Sequence, residues 1–422
     1  MDLNHELTFA LAGAGGRGRM FAEWIYDNFG PGALVAVAEP VHANRTKIAE
    51  KHKIDDSKQF NSWQEMLKGD RLADILINTT MDLDHVGSAC AAMELGYDML
   101  LEKPLATNLA DASKIDAVRR RTGRVVSVCH SLRYHPAYEA TLEIIESGAI
   151  GEVVSLDQLE AVEHIHQSHS FVRGNWSKEE TSTFMLLAKS CHDIDAIAWL
   201  LGKPCEEVAS FGSLTHFKSQ QAPAGAPKFC VEGCSVEDTC PYYAPKVYGS
   251  HSGWRHSAGF TDLSQREILQ ELKTSRFGRC VYHCDNDAVD HQVVTMKFAG
   301  EVTATFTMTA FTPWGGRYVR VHGTRGYLEV KIDQNQIDMW EFWAGNRHTK
   351  IEIPEATGGH GGGDDRLIRD LVQAVSRNDA SRVKTTTHES LRTHKIVFAA
   401  ELSRRQGRSV KLSELERSQV LV

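Results

Sequence analysis

A glycine loop set between an apolar strand and a helix constrains this chain more than any other feature. Leu7-Thr8-Phe9-Ala10-Leu11-Ala12 reads as a buried strand, Gly13-Ala14-Gly15-Gly16-Arg17-Gly18 follows at once, and Arg19-Met20-Phe21-Ala22-Glu23-Trp24-Ile25 opens a helix. G-x-G-x-x-G carries chemical meaning in that context of strand, tight turn and helix. Gly13 permits the turn, Gly15 lets a pyrophosphate approach the backbone, and Gly18 lets helix and strand pack closely. The unpaired N–H groups and positive dipole end of the helix favour phosphate. A second apolar strand, Leu34-Val35-Ala36-Val37-Ala38, ends in Glu39. A carboxylate roughly two dozen residues past the loop suits the adenosine ribose hydroxyls and repels a 2′-phosphate, so the cofactor expected is NAD. The cofactor-binding set is Gly13, Gly15, Gly16, Arg17, Gly18 and Glu39, with Glu102 and Lys103 at the end of a later strand.

Strand and helix alternate through the first third of the chain. Strands are read at 7–12, 34–38, 73–79, 98–102 and 125–130, with helices at 17–28, 42–52, 62–68, 84–95 and 108–121. The strands are apolar on both faces, as a sheet covered by helices on both sides requires. This predicts an α/β chain with a doubly wound parallel sheet over 1–130. Helices are read at 136–147 and 183–201 and a long strand over 153–162. From about residue 206 strands dominate. Val302-Thr303-Ala304-Thr305-Phe306-Thr307-Met308-Thr309 alternates Val, Ala, Phe and Met with Thr, the pattern of an antiparallel strand with one face on a core. Two further helices are read at 364–376 and 388–406. The second domain, 131–422, is therefore α+β with a large, mainly antiparallel open-faced sheet. Its threonine face is a candidate surface for a homo-oligomer. Residues 218–285 carry turn residues and five of the nine cysteines, and read as an insertion or extended loop region.

A net charge of −8 over 422 residues with no basic stripe argues against nucleic acid or an acidic membrane as partner. No stretch approaches the length of a membrane span, and no leader pattern opens the chain, so a cytoplasmic protein is expected.

Glu102-Lys103-Pro104 closes the strand at 98–102, and ligands of such sheets bind outside the carboxyl ends of the strands. Lys103 there can hold a substrate hydroxyl and move its proton; a surface lysine at a strand end is the bland alternative. In Lys189-Ser190-Cys191-His192-Asp193-Ile194-Asp195, a lysine, a histidine and two aspartates fall within seven residues. Helical spacing puts Lys189 and His192 on one face.

The glycine loop, Glu-Lys-Pro, Lys189 through Asp195 running into Trp199-Leu200-Leu201-Gly202, Arg133-Tyr134-His135-Pro136 and Ser147-Gly148-Ala149-Ile150-Gly151 occur in one order. Together they resemble the glucose–fructose oxidoreductase / inositol dehydrogenase (Gfo/Idh/MocA) family over essentially the whole chain outside the cysteine-rich insertion. The resemblance implies a Rossmann domain followed by an open-faced sheet domain, NAD(P), and a sugar or polyol in the cleft. It also implies Lys103 as catalytic lysine and His192 as catalytic histidine. Many members carry Asp four residues before that histidine; here the position is Ala188, followed by Lys189. Lys189 then either holds a sugar hydroxyl or lowers the pKa of its neighbour, and joins the catalytic set.

Further residues that could line a sugar site are His130, His164, His166, Trp176 and Trp314, with Arg133, Tyr134 and His360 ranked first. Cys230-x3-Cys234-x5-Cys240, followed by Cys280 and Cys284, could hold a structural zinc through Cys230, Cys234, Cys240 and Cys280, or be five reduced thiols in a loop. The expected activity is NAD-dependent oxidation of a hydroxyl of a sugar, polyol or glycoside. The alternatives are a redox-neutral NAD-dependent glycoside hydrolase of the same fold and, more remotely, a non-catalytic dinucleotide sensor.

Overall fold

The computed structural model describes residues 6–250, 252–355 and 358–417. The opening Met-Asp-Leu-Asn-His segment, from which no leader is expected, lies outside them. Six strands form the first sheet: β1 (Phe9–Ala12), β2 (Leu34–Ala38), β3 (Gln59–Phe60), β4 (Ile75–Asn78), β5 (Asp98–Leu101) and β6 (Val126–Val128). Their order is β3-β2-β1-β4-β5-β6, with every pairing parallel. The order reverses direction beside β1, which opens a crevice at its carboxyl end, where the glycine loop lies. β3 has only two residues and no apolar run, so it is not legible in the sequence.

Each face of this sheet is covered. On one, Ala10, Ala12, Leu76, Met99 and Leu101 meet Ala89, Ala92 and Ile115. On the other, Phe9, Leu11, Phe21, Ile25 and Val37 meet Leu367, Ile368, Leu371 and Val372. Those four come from the helix Gly363–Ser376, far along the chain. Val128 N–H also donates to Thr385 O. The end of the chain thus completes the core of its beginning.

Nine strands form the second sheet: β7 (Val153–Ala161), β8 (Cys205–Ser213), β9 (His291–Phe298), β10 (Val302–Thr309), β11 (Gly316–Gly323), β12 (Gly326–Lys331), β13 (Gln336–Glu341), β14 (Arg347–Glu352) and β15 (Val410–Lys411). The order is β14-β13-β12-β11-β7-β10-β9-β8-β15. Only β7 and β10 pair in parallel. In β10, Val302, Ala304, Phe306 and Met308 are buried, and they share a core with Ile194 and Ile197 of the helix Cys191–Leu201. Thr303 and Thr305 face outward, and Phe211 and Val293, paired across β8 and β9, are exposed beside them. Alternation along the strand is therefore the physical origin of an open face.

Two local readings change. The helix expected over 183–201 is two helices, Met185–Ala188 and Cys191–Leu201, broken at Lys189 and Ser190. The cysteine-rich insertion is not a loop. It holds helices Ala244–Ser250, Ser252–Ser257 and Gln265–Glu271. Tyr248, Phe260, Ile268, Leu272 and Phe277 give it a small core that also takes in Ile165. Its order comes from aromatic burial spread over short helices, which leaves no long periodic signal in the sequence. Among the described residues no helix is long and apolar enough to cross a membrane.

Candidate active site

The cofactor edge is made largely of backbone. The helix that follows the glycine loop begins at Gly16, and its N-cap, Gly15, supplies no side-chain cap. A Cβ at Gly15 or Gly16 would meet nothing within 4 Å, whereas one at Gly18 would overlap Gly13 O and one at Gly13, where φ is +89°, would overlap Thr79 O. Two glycines are thus needed for packing, and two leave open space in front of free N–H groups, the condition a pyrophosphate requires. Glu39 is buried at the end of β2, where its carboxylate accepts the N–H groups of Ala14 at 2.6 Å and Val41 at 2.8 Å. The carboxylate is therefore held against the loop. These features fit a bound dinucleotide.

Arg17 joins the loop to distant parts of the chain. Its guanidinium pairs with Glu102 at 2.5 Å and with both oxygens of Asp364 at 2.7 and 2.9 Å. Asp364 also accepts from Ser131 Oγ and lies 2.9 Å from His360 Nδ1. Arg17 and His360 hold its carboxyl far below the usual range despite burial. The second glycine cluster is explained by this packing: a Cβ on Gly361 would overlap the His135 ring, and one on Gly363 would overlap Ser131 O. His360 is thereby brought to His192, ring centroids 5.6 Å apart and perpendicular.

Lys103 reaches from the end of β5 to the second domain, where Nζ donates to Ala188 O. In a continuous helix that carbonyl would accept the His192 N–H; the break at Lys189 and Ser190 leaves it for the lysine. His192 is buried, and its Nε2 lies 2.7 Å from Arg317 Nη2. Arginine can only donate, so Nε2 accepts and the ring proton sits on Nδ1. Nδ1 is buried with no partner among the described residues. Burial, with Arg317, Lys103, His360 and Lys189 nearby, holds the imidazole well below its ordinary pKa. It is therefore neutral and carries one unused donor.

Around it lies a compact charge network. Arg317 bonds Asp193 at 2.6 Å and sits 3.0 Å from Glu160, and Lys189 pairs with Glu160 at 2.9 Å. Gln158 Nε2 donates to Asp193 Oδ1 at 2.7 Å. Burial pushes Asp193 up to about 6 against the pull of Arg317, while Arg317 is raised further above its ordinary value by the same carboxylates. Asp193 lies in the run singled out from the sequence, whereas Arg317 and Glu160 are the residues the sequence reading missed. Those two come from β11 and β7, and the local signal for them is a carboxylate on an otherwise buried strand, which needs a cation.

Other candidates are placed elsewhere. Arg133 is buried and forks onto Asp195 with two bonds of 2.7 Å, and Tyr134 is a core ring whose hydroxyl accepts the Lys384 N–H. Both face the interior rather than the cleft. His130 is buried against Ser390. Trp176 donates to Asp82 and so ties the two domains together. His164 lies against Thr312 O, and Trp314 is about half exposed.

The zinc expectation is not supported. Cys230, Cys234, Cys240 and Cys280 do line one small cavity, with Arg173. Every cysteine is a free thiol, and no group of three or more His, Cys, Asp or Glu among the described residues is placed to hold a metal. The buried Arg173 guanidinium approaches Cys230 Sγ to 3.8 Å, where its charge opposes a dication, and burial raises the Cys240 and Cys280 thiols, Cys280 to about 11.

Fold and cofactor edge define an NAD-binding oxidoreductase. Residues 7–130 match the model of the oxidoreductase family NAD-binding Rossmann fold, and 143–412 match that family's C-terminal alpha/beta domain. The chain belongs to the Gfo/Idh/MocA oxidoreductase family. It is similar to the 1,5-anhydro-D-fructose reductase of Ensifer adhaerens, 29% identical over 337 residues, covering 78% of this chain and 85% of that one. It is also similar to the putative oxidoreductase YteT of Bacillus subtilis (strain 168), 24% identical over 331 residues, covering 74% of each. Among solved structures, a levoglucosan dehydrogenase in complex with NADH and levoglucosan superposes with a TM-score of 0.70 at 16% identity, covering 96% of this chain and 99% of that one.

Proposed function

We propose that this protein is an NAD-dependent dehydrogenase that oxidises a hydroxyl of a sugar, polyol or glycoside. The observation that carries the reading is Lys103 reaching across the cleft to Ala188 O, four residues before His192. In this reading the Lys103 side chain and the unused His192 donor serve one substrate hydroxyl beside the nicotinamide. A sugar reductase among the relatives and a sugar dehydrogenase among the structural neighbours support the substrate class.

In this reading Lys103 binds the reacting hydroxyl and, in its neutral form, takes its proton, while His192 Nδ1–H donates to the same oxygen or its neighbour. His360 and Arg317 fix the His192 ring. When bound beside the glycine loop, NAD would supply the redox chemistry as a hydride acceptor. Glu39 holds the adenosine ribose, and Arg17 keeps Glu102 and Asp364 in place beside the loop. The exposed Phe211 and Val293 on the threonine face support a homo-oligomer closed through that sheet.

A panel of sugars, polyols and aryl glycosides, followed for NADH absorbance and aglycone release together, tests this. NADH should accumulate with at least one sugar or polyol. Aglycone release without NADH would replace this reading with redox-neutral hydrolysis, and binding without either would leave a sensor. NAD should bind at least tenfold more tightly than NADP by calorimetry, because Glu39 repels the 2′-phosphate; equal affinities would remove Glu39 from that role.

A further inference from the structure

Glu163 has φ +76°, an uncommon conformation for a residue with a side chain. Its carboxylate caps the N–H groups of Ile165 and His166 at 3.0 and 2.8 Å. The chain then runs as a π-helix over Gln167–Arg173, a form concentrated at functional sites. His166 opens this segment. Its ring is half-buried and has no hydrogen-bond partner among the described residues. Burial, with Lys189, His169, Lys103 and Arg317 nearby, holds it neutral. Its ring lies 5.9 Å from Phe171, whose ring lies 6.3 Å from Trp176, and Trp176 donates to Asp82 just past the carboxyl end of β4, so His166 lies on the side of the cleft.

The rings facing this segment come from the cysteine-rich insertion. Trp254 lies 5.2 Å from His166 and 5.0 Å from His169, and is itself half-exposed. Phe277 stacks on His169 at 4.8 Å, and the Tyr248 hydroxyl lies 3.1 Å from His169 Nδ1. Ile165 is built into the insertion's core. The insertion therefore grips the π-helical segment through His169 and Ile165, and leaves His166 and one part of Trp254 available beside the reacting centre.

We propose that the insertion completes a second carbohydrate subsite, with Trp254 as a stacking wall and His166 as a neutral hydrogen-bonding group, so that the sugar is oxidised as part of a two-ring glycoside. An aromatic face suits the apolar C–H face of a pyranose, and a neutral imidazole offers one donor and one acceptor to its hydroxyls. This rests on the dehydrogenase reading above.

The test compares initial rates of NADH formation on matched pairs: glucose with maltose and cellobiose, galactose with lactose and melibiose. At least one disaccharide should show a kcat/KM about tenfold above that of its monosaccharide. Trp254→Ala should lower that disaccharide-to-monosaccharide ratio about tenfold, and Trp254→Phe, which keeps a ring, about two- to threefold. His166→Ala should lower the ratio as well. Because the ratio is measured within one variant, a loss of folded protein does not move it. Oxidation of a monosaccharide with no disaccharide preference, or a ratio unmoved by Trp254→Ala, would overturn the second subsite while leaving the dehydrogenase reading intact. Oxidation of neither partner of any pair, nor of any polyol, would overturn both.

Discussion

The two walls of the cleft solve their problems with different materials. The wall from the N-terminal sheet presents backbone: uncapped N–H groups, two glycines with open space before them, and a carboxylate held by main-chain donors. The facing wall presents side-chain charge taken out of water, with Arg317, Lys189, Glu160 and Asp193 neutralising one another around an uncharged His192. Backbone geometry can be written in six consecutive residues. A buried charge network cannot, because each member must answer a partner on another element. The difference predicts that changes in the first wall act on cofactor, whereas changes in the second act on chemistry and stability together.

Lys103 belongs to the first wall by sequence and to the second by contact, so its loss gives the largest effect and the sharpest test of the division. Lys103→Ala should reduce kcat about 10²–10⁴-fold, the usual range for a positioned proton-transfer group, with NAD affinity nearly unchanged. Parallel losses in turnover and NAD binding would mean that the lysine serves the cofactor instead.

Arg317→Met attacks the second wall itself. It leaves Glu160 with Lys189 alone and Asp193 with Gln158 in a buried site. Removing one partner of a buried charge set costs about 3–5 kcal/mol. Denaturant unfolding of the protein should show a loss of that size, and Arg17→Met, at a partly exposed residue, a smaller one. Equal losses would erase the contrast between the walls.

Acid should separate them further. Burial lowers His135 and His169 to about 4, and also lowers His192 and His166. Below the ordinary histidine value of about 6.5 the unfolded chain takes up protons that the folded chain refuses, so stability falls as pH drops from 6.5 toward 4. Asp193, raised to about 6, takes up its proton in the folded state first and opposes part of this loss. Asp364, held far below the usual carboxylate range, keeps the Arg17 pair through the same window. Because the lowered histidines outnumber Asp193, the net slope should exceed the roughly 1.4 kcal/mol per pH unit of a single group, and hydrogen exchange at pH 5 should rise in the His164–Arg173 segment before it rises in β1 and the helix after the glycine loop. A flat stability profile between pH 6.5 and 4.5 would contradict this.

The same contrast explains what the sequence disclosed. The glycine loop, Glu39, Lys103 and the alternation of β10 are local patterns, and each lies where its period or motif places it. His192 and His360, far apart in sequence, do meet. Arg133 and Tyr134 also follow a strand, yet they turn inward to Asp195 and Lys384, because nothing local tells a buried fork from a ligand-binding one. Arg317 was invisible for the opposite reason: its partners lie on β7 and on the helix after Ser190. The cysteines gather as their spacing suggested, but around a buried guanidinium that no spacing reports.

The smallest expected effect concerns Lys189, which follows Ala188 at the break between the two helices. The break after Ala188 takes Lys189 off the His192 helix, so the two do not share a helical face. Its ammonium pairs with Glu160 and is 15% exposed, which leaves it able to reach substrate while Arg317 still holds the same carboxylate. Lys189→Ala should therefore destabilise the protein less than Arg317→Met does. If it binds a sugar hydroxyl, KM should rise about three- to tenfold with kcat within about twofold, the signature of lost uniform binding. If instead it sets the charge of its neighbours, kcat should fall and the acid limb of the kcat profile should move upward, since His192 would lose one of the cations that keep it unprotonated. The first outcome makes Lys189 a substrate contact, and the second draws it into the charge network of the second wall.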